Sequence, residues 1–169
     1  IIIIGAGPAG SSTALFLAKN GVNNVLLVDK AKFPRDKICG DAFSGKSMGV
    51  ARELGIVSQI EEAENEVVYG VVFSSPKGTQ LEIPFGGKEK TAKPGFCIRR
   101  IYVDGILFSK AKKEVDTLEE FTVSEVIFEG GFAKGIKGKA RDGREMEIRA
   151  KIIVGADGTS SVVAQKAGV

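Results

Sequence analysis

The chain has 169 residues, 43% of them hydrophobic and 27% charged, a composition typical of a folded globular protein rather than a disordered one. The net charge of +3 is spread over segments of mixed sign and no Trp is present, so the sequence does not favour nucleic-acid binding. The absence of His excludes Ser-His-Asp triads, Cys-His dyads and most zinc sites within the chain.

The N-terminal segment reads as a strand, a helix and a second strand. Residues 1–4 are all Ile, as expected of a parallel strand that is buried on both faces. Helical spacing of apolar residues follows over 8–19, and Gly21 is expected to end that helix. The next apolar run is Val25–Val28, which Asp29 closes. This order predicts a right-handed βαβ crossover.

Between that strand and helix, Gly5, Gly7 and Gly10 are spaced G-x-G-x-x-G. Gly5 is expected to permit a tight turn, Gly7 to let a pyrophosphate approach the backbone, and Gly10 to let the helix pack close to the strand. The helix N-terminus offers N–H groups to phosphates, and Pro8 costs no hydrogen bond there. Asp29 can accept hydrogen bonds from a ribose. The pattern predicts a dinucleotide site, and its spacing alone does not separate FAD from NAD.

The middle of the chain begins with a basic segment, 30–47, that Pro34 and Gly40 interrupt. A loop of that length in a compact domain is usually functional or disordered. The elements predicted after it are a helix over 46–64 in two pieces around Gly55, strands over 67–73 and 79–85, a loop over 86–95 and a helix over 100–115.

An antiparallel meander is predicted next, with strands at 121–129, 132–140 and 144–154. Gly130-Gly131 and Asp142-Gly143 fit the hairpin turns between them. The meander feeds directly into KIIVGADGTSS, where another apolar strand is predicted before a second Gly-rich turn.

Two of the Gly-rich motifs resemble motifs of known flavoproteins. The opening Gly-Ala-Gly-Pro-Ala-Gly resembles the FAD fingerprint of glutathione-reductase-like flavoproteins. GADGTSS, at 155–161, resembles the D-G motif of para-hydroxybenzoate-hydroxylase-like flavoproteins, which implies that Asp157 lies near the FAD pyrophosphate and ribityl. One departure is Ala164, which stands where that family usually has Arg, so no role of the Arg is carried over.

Two further motifs resemble the geranylgeranyl reductase family, which saturates prenyl double bonds. FPRDKICGD, at 33–41, resembles the segment after the second strand in that family, and most aromatic hydroxylases of the same fold lack its Cys-Gly-Asp. CIRRIYVDGILFSKA resembles the family's Arg-x-x-x-Asp-x-x-Leu helix, with Arg100, Asp104 and Leu107 matching. The resemblance covers nearly the whole chain.

The resemblance implies an α/β fold: a βαβ FAD/NAD(P)-binding Rossmann-like domain of glutathione-reductase type with an inserted antiparallel β-sheet. Residues 1–169 are then expected to form an FAD-binding domain that is incomplete at its C-terminus, because the family's third motif, Gly-Asp followed by small residues, is not in the sequence. About 66–98 are expected to belong to the inserted substrate-side sheet, and 119–154 to the meander that leads into the D-G motif.

The same resemblance implies roles for individual side chains. Arg35 is expected near the adenine side of FAD, with Lys37 as a weaker candidate, and Arg100 is expected to point toward the flavin. Cys39 is the candidate catalytic residue, beside the isoalloxazine and the substrate, and a half-buried packing thiol is its alternative. No metal ligand is predicted. The candidate cofactor-binding residues are Gly5, Gly7, Pro8, Ala9, Gly10, Asp29, Lys30, Arg35, Cys39, Gly40, Arg100, Gly155, Asp157 and Gly158.

The function that this resemblance implies is an FAD-dependent oxidoreductase, which takes electrons from a reduced donor such as NAD(P)H or ferredoxin and passes hydride through FAD to isoprenoid C=C bonds. Two alternatives stay open: an FAD-dependent aromatic hydroxylase that uses NAD(P)H and O2, and a non-catalytic nucleotide-binding module or inactive fragment. The expected partner is an isoprenoid or other hydrophobic small molecule, not a nucleic acid. Cys39 and Cys97 are expected to be reduced thiols in a cytoplasmic protein, with peripheral membrane contact left open.

Overall fold

A computed structural model of the chain describes residues 1–43, 45–85 and 95–168. The chain divides into two compact units, one formed by Ile1–Arg35 with Asp104–Val169 and the other by Asp36–Val103. Among the described residues, no helix combines the length and the apolar character that crossing a membrane requires.

In chain order the elements are β1 (Ile2–Ile4), α1 (Pro8–Lys19), β2 (Leu26–Val28), β3 (Ala42–Phe43), α2 (Lys46–Glu53), α3 (Val57–Glu62), β4 (Asn65–Val68), β5 (Gly70–Ser74), β6 (Gln80–Pro84), β7 (Gly95–Ile98), α4 (Arg100–Ala111), β8 (Asp116–Leu118), β9 (Phe121–Glu129), β10 (Phe132–Ala140), β11 (Glu145–Arg149), β12 (Ile153–Gly155) and α5 (Val162–Ala167).

A parallel sheet of strand order β12-β1-β2-β8 forms the centre of the first unit. The predicted crossover is confirmed, because β1, α1 and β2 follow one another and β1 pairs with β2 in parallel. Gly21 has φ +78° and ends α1 as predicted, donating its N–H to Ala18 at 2.9 Å. The predicted α/β Rossmann-like fold class is therefore confirmed.

Both faces of β1 are buried, which explains why its sequence is apolar throughout. Ile2 and Ile4 belong to a core cluster that includes Phe121 of β9 and Ile136 of β10. Ile3 points to the opposite face by strand alternation and is fully buried as well. Helix α1 contacts β1 and β2. The meander strands cover one face of the parallel sheet.

The meander is an antiparallel sheet of order β11-β10-β9. The third meander strand, predicted over 144–154, ends earlier, at Arg149, and the further apolar strand predicted before GADGTSS is confirmed as β12. The N–H of Ala150 still donates to Lys134 of β10, whereas the carbonyl of Ile152 accepts from Ile2 of the parallel sheet. The chain thus changes sheets within the three residues 150–152, Ala-Lys-Ile.

The second unit contains a sheet of order β3-β7-β4 and a hairpin of β5 with β6. The prediction of one strand over 67–73 is wrong, because β4 pairs with β7 while β5 pairs with β6. A Cβ on Gly70 would lie 2.7 Å from the Ile83 carbonyl oxygen, so glycine allows the close approach where the hairpin starts. Most of the predicted loop over 86–95 lies outside the described residues, at 86–94.

The two predicted pieces of the helix over 46–64 are confirmed as α2 and α3, separated near Gly55, which has φ +64°. The helix predicted over 100–115 ends earlier, at Ala111, because the chain turns there to enter β8. Strand β8 is an element that no sequence pattern indicated.

Replacing Gly138 by Ala should destabilise the first unit. A Cβ there would lie 2.5 Å from the Thr122 carbonyl oxygen and 2.6 Å from the ring of Phe121, which is almost fully buried. Forcing atoms into a packed core costs about 1–3 kcal/mol, so we expect the free energy of unfolding, measured by urea titration, to fall by about that amount.

The matched control is Gly105→Ala in α4. Among the described residues, a Cβ at Gly105 would lie nearest to the Pro34 Cβ, 3.6 Å away, which is an ordinary contact. Removing a glycine from a helix interior should raise the free energy of unfolding by about 0.5–1 kcal/mol. Gly138→Ala protein as stable as the parent would contradict the packing described here.

Candidate functional site

Three of the predicted motifs meet at one edge of the parallel sheet. Strand β1 lies between β12 and β2, and Ile4 is level with both Gly155 and Val28. The loops that follow these three strands therefore leave the sheet side by side at its carboxyl edge. Ligands of open α/β sheets bind at this edge.

The turn at Gly5 joins the first motif to the last. Gly5 has φ +96°, which confirms the predicted tight turn. A Cβ at this position would lie 2.3 Å from the Ala156 carbonyl oxygen, because the D-G turn passes directly against it. The Ala156 N–H donates to the Ile4 carbonyl oxygen at 2.8 Å, which fixes that approach.

The start of α1 has the geometry that an anion requires. A Cβ on Gly10 would lie 1.8 Å from the Gly5 carbonyl oxygen, which confirms the predicted close packing of helix and strand. Gly7 is the N-cap, with φ −69° and ψ −171°, a conformation that any residue adopts. Among the described residues, no side chain caps the N-terminus of α1, and no acidic residue lies in its first turn. Its N–H groups can therefore meet an external acceptor.

Asp29 connects the loop after β2 to the loop that contains Gly5, Gly7 and Gly10, which is called the glycine loop below. One oxygen of its carboxylate accepts from the Ala6 N–H at 2.7 Å, and the other accepts from the Ala31 N–H at 2.8 Å. A carboxylate has about four acceptor sites, so these two bonds leave capacity for a ribose hydroxyl. Its neighbour Lys30 is exposed and lines a groove of about 1190 Å³ over the meander, together with Lys139.

Ser11 is a residue of the glycine loop that the sequence reading missed. Its side chain is fully buried, and its hydroxyl donates to the Ala6 carbonyl oxygen at 2.9 Å. The available signal was a polar residue between Gly10 and Ala14, on the side of α1 that packs most closely.

Asp157 organises the D-G turn. Its carboxylate accepts from the Ser161 hydroxyl at 2.6 Å and from the Val162 N–H at 2.7 Å. Gly158 has φ +84°, and a Cβ on Gly155 would lie 2.8 Å from the Val163 Cβ. The motif therefore has a structural task, which is to close the turn against the start of α5.

Arg35 and Asp104, which lie in two separate motifs, form an ion pair in the first unit. Arg35 Nη1 lies 2.5 Å from Asp104 Oδ2, and the Asp104 side chain is fully buried. The Arg35 guanidinium carbon also lies 5.0 Å from the centre of the Phe33 ring. Phe33 stacks in turn on Phe108 of α4 at 4.2 Å. Sequence matching indicated both charged residues but not their pairing.

Cys39 lies in the second unit and is exposed, so the alternative of a half-buried packing thiol is wrong. A hydrogen bond with the backbone of Asp41, and then one with the Arg100 side chain, lower the pKa of the Cys39 thiol. A Cβ on Gly40 would meet no atom within 4 Å among the described residues. Cys97 is also a free, exposed thiol.

The sequence model of a family described as FAD binding domain matches residues 1–169, the whole chain. The chain belongs to this FAD-binding family. The predicted FAD cofactor is thereby confirmed at the level of the family, and the uncapped glycine loop is a site that fits its pyrophosphate.

The relatives that are similar to this chain include enzymes named for different reactions. The chain is 33% identical to the digeranylgeranylglycerophospholipid reductase of Methanocella arvoryzae, over 100% of this chain and 41% of that protein. It is 30% identical to the 1H-pyrrole-2-carbonyl-(peptidyl-carrier protein) brominase of Pseudoalteromonas luteoviolacea, over 98% of this chain and 39% of that protein. The chain thus spans about two fifths of the length of these relatives.

Among solved structures, the chain is similar to the flavin-dependent brominase Bmp2. The TM-score is 0.85 at 30% sequence identity, and the match covers 98% of this chain and 39% of that one. The fold is therefore shared by relatives named as reductases and as halogenating enzymes.

The lowered pKa of the Cys39 thiol predicts its reactivity. Because the thiolate is the reactive form, a lower pKa moves the midpoint of the alkylation rate against pH below that of an unperturbed cysteine. Iodoacetamide labelling of Cys97→Ser protein, followed by mass spectrometry across a pH series, measures that midpoint for Cys39 alone.

Removing the cation should move this midpoint upward, so Arg100→Gln is the informative variant. Arg99→Gln is its matched control, since Arg99 lies 3.6 Å from Asp36 and should leave the midpoint unchanged. An Arg100→Gln midpoint equal to that of the parent would show that Arg100 does not act on the thiol.

Proposed function

We propose that the chain is the FAD-binding part of an oxidoreductase that saturates C=C bonds of an isoprenoid or similarly hydrophobic small molecule. The observation that carries this proposal is the exposed Cys39-Gly40-Asp41 segment, where the backbone of Asp41 and the side chain of Arg100 lower the pKa of the Cys39 thiol. It brings together the two motifs that resemble those of geranylgeranyl reductases. The 33% sequence identity with a digeranylgeranylglycerophospholipid reductase, which extends over the whole chain, supports the same function.

Within the first unit we propose two groups of cofactor contacts. The uncapped start of α1 and the D-G turn at the same sheet edge would hold the pyrophosphate, and the carboxylate of Asp29 would accept from the adenosine ribose. Lys30 and Arg35, in the loop after β2, would lie toward the adenine side. The proposed pyrophosphate contacts are Gly5, Gly7, Pro8, Ala9, Gly10, Gly155, Asp157 and Gly158.

Within the second unit, Cys39, Gly40 and Arg100 are the proposed contacts of the flavin ring and the substrate, on the resemblance of their motifs. When bound, FAD supplies hydride transfer, and the protein supplies binding, orientation and electrostatics. A reduced donor such as NAD(P)H or ferredoxin would provide the electrons. Saturating one C=C bond adds one hydride and one proton, and solvent can provide that proton.

A second candidate function is an oxygen-dependent flavin reaction, aromatic hydroxylation or halogenation. The observation that favours it is the brominase, which is 30% identical over 98% of the chain and matches its fold with a TM-score of 0.85. A third possibility is a non-catalytic FAD-binding module, and it predicts a bound flavin that turns over nothing.

The three candidate functions differ in what accepts the electrons of the reduced flavin and in which product forms. The purified protein, loaded with FAD and reduced by dithionite without oxygen, is mixed with a geranylgeranyl-containing glycerophospholipid. The proposed reductase should reoxidise its flavin anaerobically and add the mass of two hydrogen atoms for each double bond reduced. Turnover only with O2, on a phenol or in the presence of bromide, would replace it by the second candidate. A protein that binds the flavin but converts none of these substrates, with or without O2, would leave the non-catalytic module.

The glycine loop is tested by Gly7→Val. Because φ −69° and ψ −171° suit valine, the fold should survive, whereas the branched side chain would occupy the space that the phosphates need. We expect FAD affinity, measured by quenching of flavin fluorescence, to fall at least about tenfold, which is about 1.4 kcal/mol.

Gly49→Val is the matched control, since a Cβ there meets no atom within 4 Å among the described residues. It should keep the affinity of the parent. Tight FAD binding by Gly7→Val protein with an intact fold would refute the placement of the pyrophosphate at this loop.

A further inference from the structure

The two peptides that flank Ala6 are held by groups from two different parts of the chain, one by Asp29 and the other by Ser11. The Ala6 N–H donates to Asp29 at 2.7 Å, and the Ala6 carbonyl oxygen accepts from the Ser11 hydroxyl at 2.9 Å. Both Ala6 and Ser11 are fully buried. The backbone N–H of Ser11 also donates to the Gly7 carbonyl oxygen at 2.9 Å. Ser11 therefore contacts the peptide groups on both sides of Gly7.

The hydrogen bond from the Ser11 hydroxyl to the Ala6 carbonyl oxygen also fixes the direction of the Gly7 N–H, although Ser11 does not contact that N–H. A trans peptide is planar, and its C=O and N–H point in opposite directions. Because the Ser11 hydroxyl holds the Ala6 carbonyl on the buried side, the Gly7 N–H on the same peptide points the other way. That direction leads out of the buried side of the loop, at the uncapped start of α1.

The loop needs such an anchor because of its composition. Glycines at 5 and 7 permit close approach of backbone and ligand, but they also give the loop more backbone freedom than other residues would. Without a partner, the buried Ala6 carbonyl would turn toward another donor and rotate the Gly7 N–H with it, since buried carbonyls rarely remain unpaired.

We infer that Ser11 is a positioning residue for the cofactor: its side chain orients the Gly7 N–H toward the pyrophosphate before FAD binds. This inference rests on the proposed placement of the pyrophosphate at the glycine loop. It is independent of which reaction the flavin performs.

The test compares two adjacent serines and two probes. The neighbouring Ser12 hydroxyl bonds the Pro8 and Ala9 carbonyl oxygens of its own helix, so Ser12→Ala removes a hydroxyl without touching the Ala6 peptide. ADP carries the pyrophosphate and adenosine does not. Affinities of the FAD-free protein for both are measured by titration, and its melting temperature is recorded without ligand.

Ser11→Ala should weaken ADP binding about tenfold, the loss expected when one charge-assisted hydrogen bond is misdirected, while adenosine binding changes less than about twofold. Ser12→Ala should change neither affinity. Unchanged ADP affinity in Ser11→Ala protein, or equal losses for ADP and adenosine, would overturn the inference. If Ser11→Ala does not fold, Ser11→Cys, which keeps the size and a weaker donor, is judged by the same comparison.

Gly7→Val separates this failure from that of the cofactor placement. If Gly7→Val loses ADP and Ser11→Ala does not, the pyrophosphate lies at the loop and only the role of Ser11 is wrong. If both variants bind ADP as the parent does, the loop does not hold the pyrophosphate and the inference falls with it.

Discussion

The register in which β1 pairs with its two neighbours decides the geometry of the candidate site. Ile4 is level with Gly155 on one side and with Val28 on the other. A shift of one residue in either pairing would reverse which side chains face the meander and the helix, and both faces are buried. Packing on the two faces therefore locks the register, and the register places three loops at one level.

Glycine then determines how closely these loops approach one another. A Cβ on Gly5 would meet the D-G turn, and one on Gly10 would meet Gly5 itself. The turn after β1, the start of α1 and the D-G turn therefore form a single compact edge. The same compactness explains why Asp29 and Ser11 hold the loop by its backbone: side chains that filled the loop would occupy the ligand's space. At this edge, the requirement for small residues and the requirement for buried hydrogen bonds arise from the same constraint.

Local patterns in the sequence were sufficient wherever one strong signal marked an element. Four consecutive Ile predicted β1, and helical spacing followed by Gly21 predicted α1 with its observed bounds. The glycine spacing located the loop because phosphate binding needs backbone, and backbone needs glycine. Each of these signals depends on residues that are close in sequence, and long-range contacts do not change the structure of β1 or α1.

Elements defined by distant partners escaped prediction. Strand β8 has only the residues Asp-Thr-Leu, and it is a strand because Leu26–Val28 pairs with it. The break near Tyr69 and the change of sheet at 150–152 depend on which strands pair, since β4 pairs with β7 and β12 pairs with β1. In the site, the Arg35–Asp104 pair and the role of Ser11 depend on which side chains the fold brings together, and single-sequence spacing carries no record of that.

The pairing of β1 with β12 also sets the order in which the unit can be completed. Ile2 lies opposite Ile153, so the central strand of the parallel sheet has one neighbour from the first crossover and the other from near the end of the 169 residues. Contacts so distant in sequence slow folding, because a long loop must close before they form. During synthesis, one edge of β1 waits unpaired until residue 155 has left the ribosome. The residues that hold the cofactor loop in shape are thus made well before the strand that completes their edge.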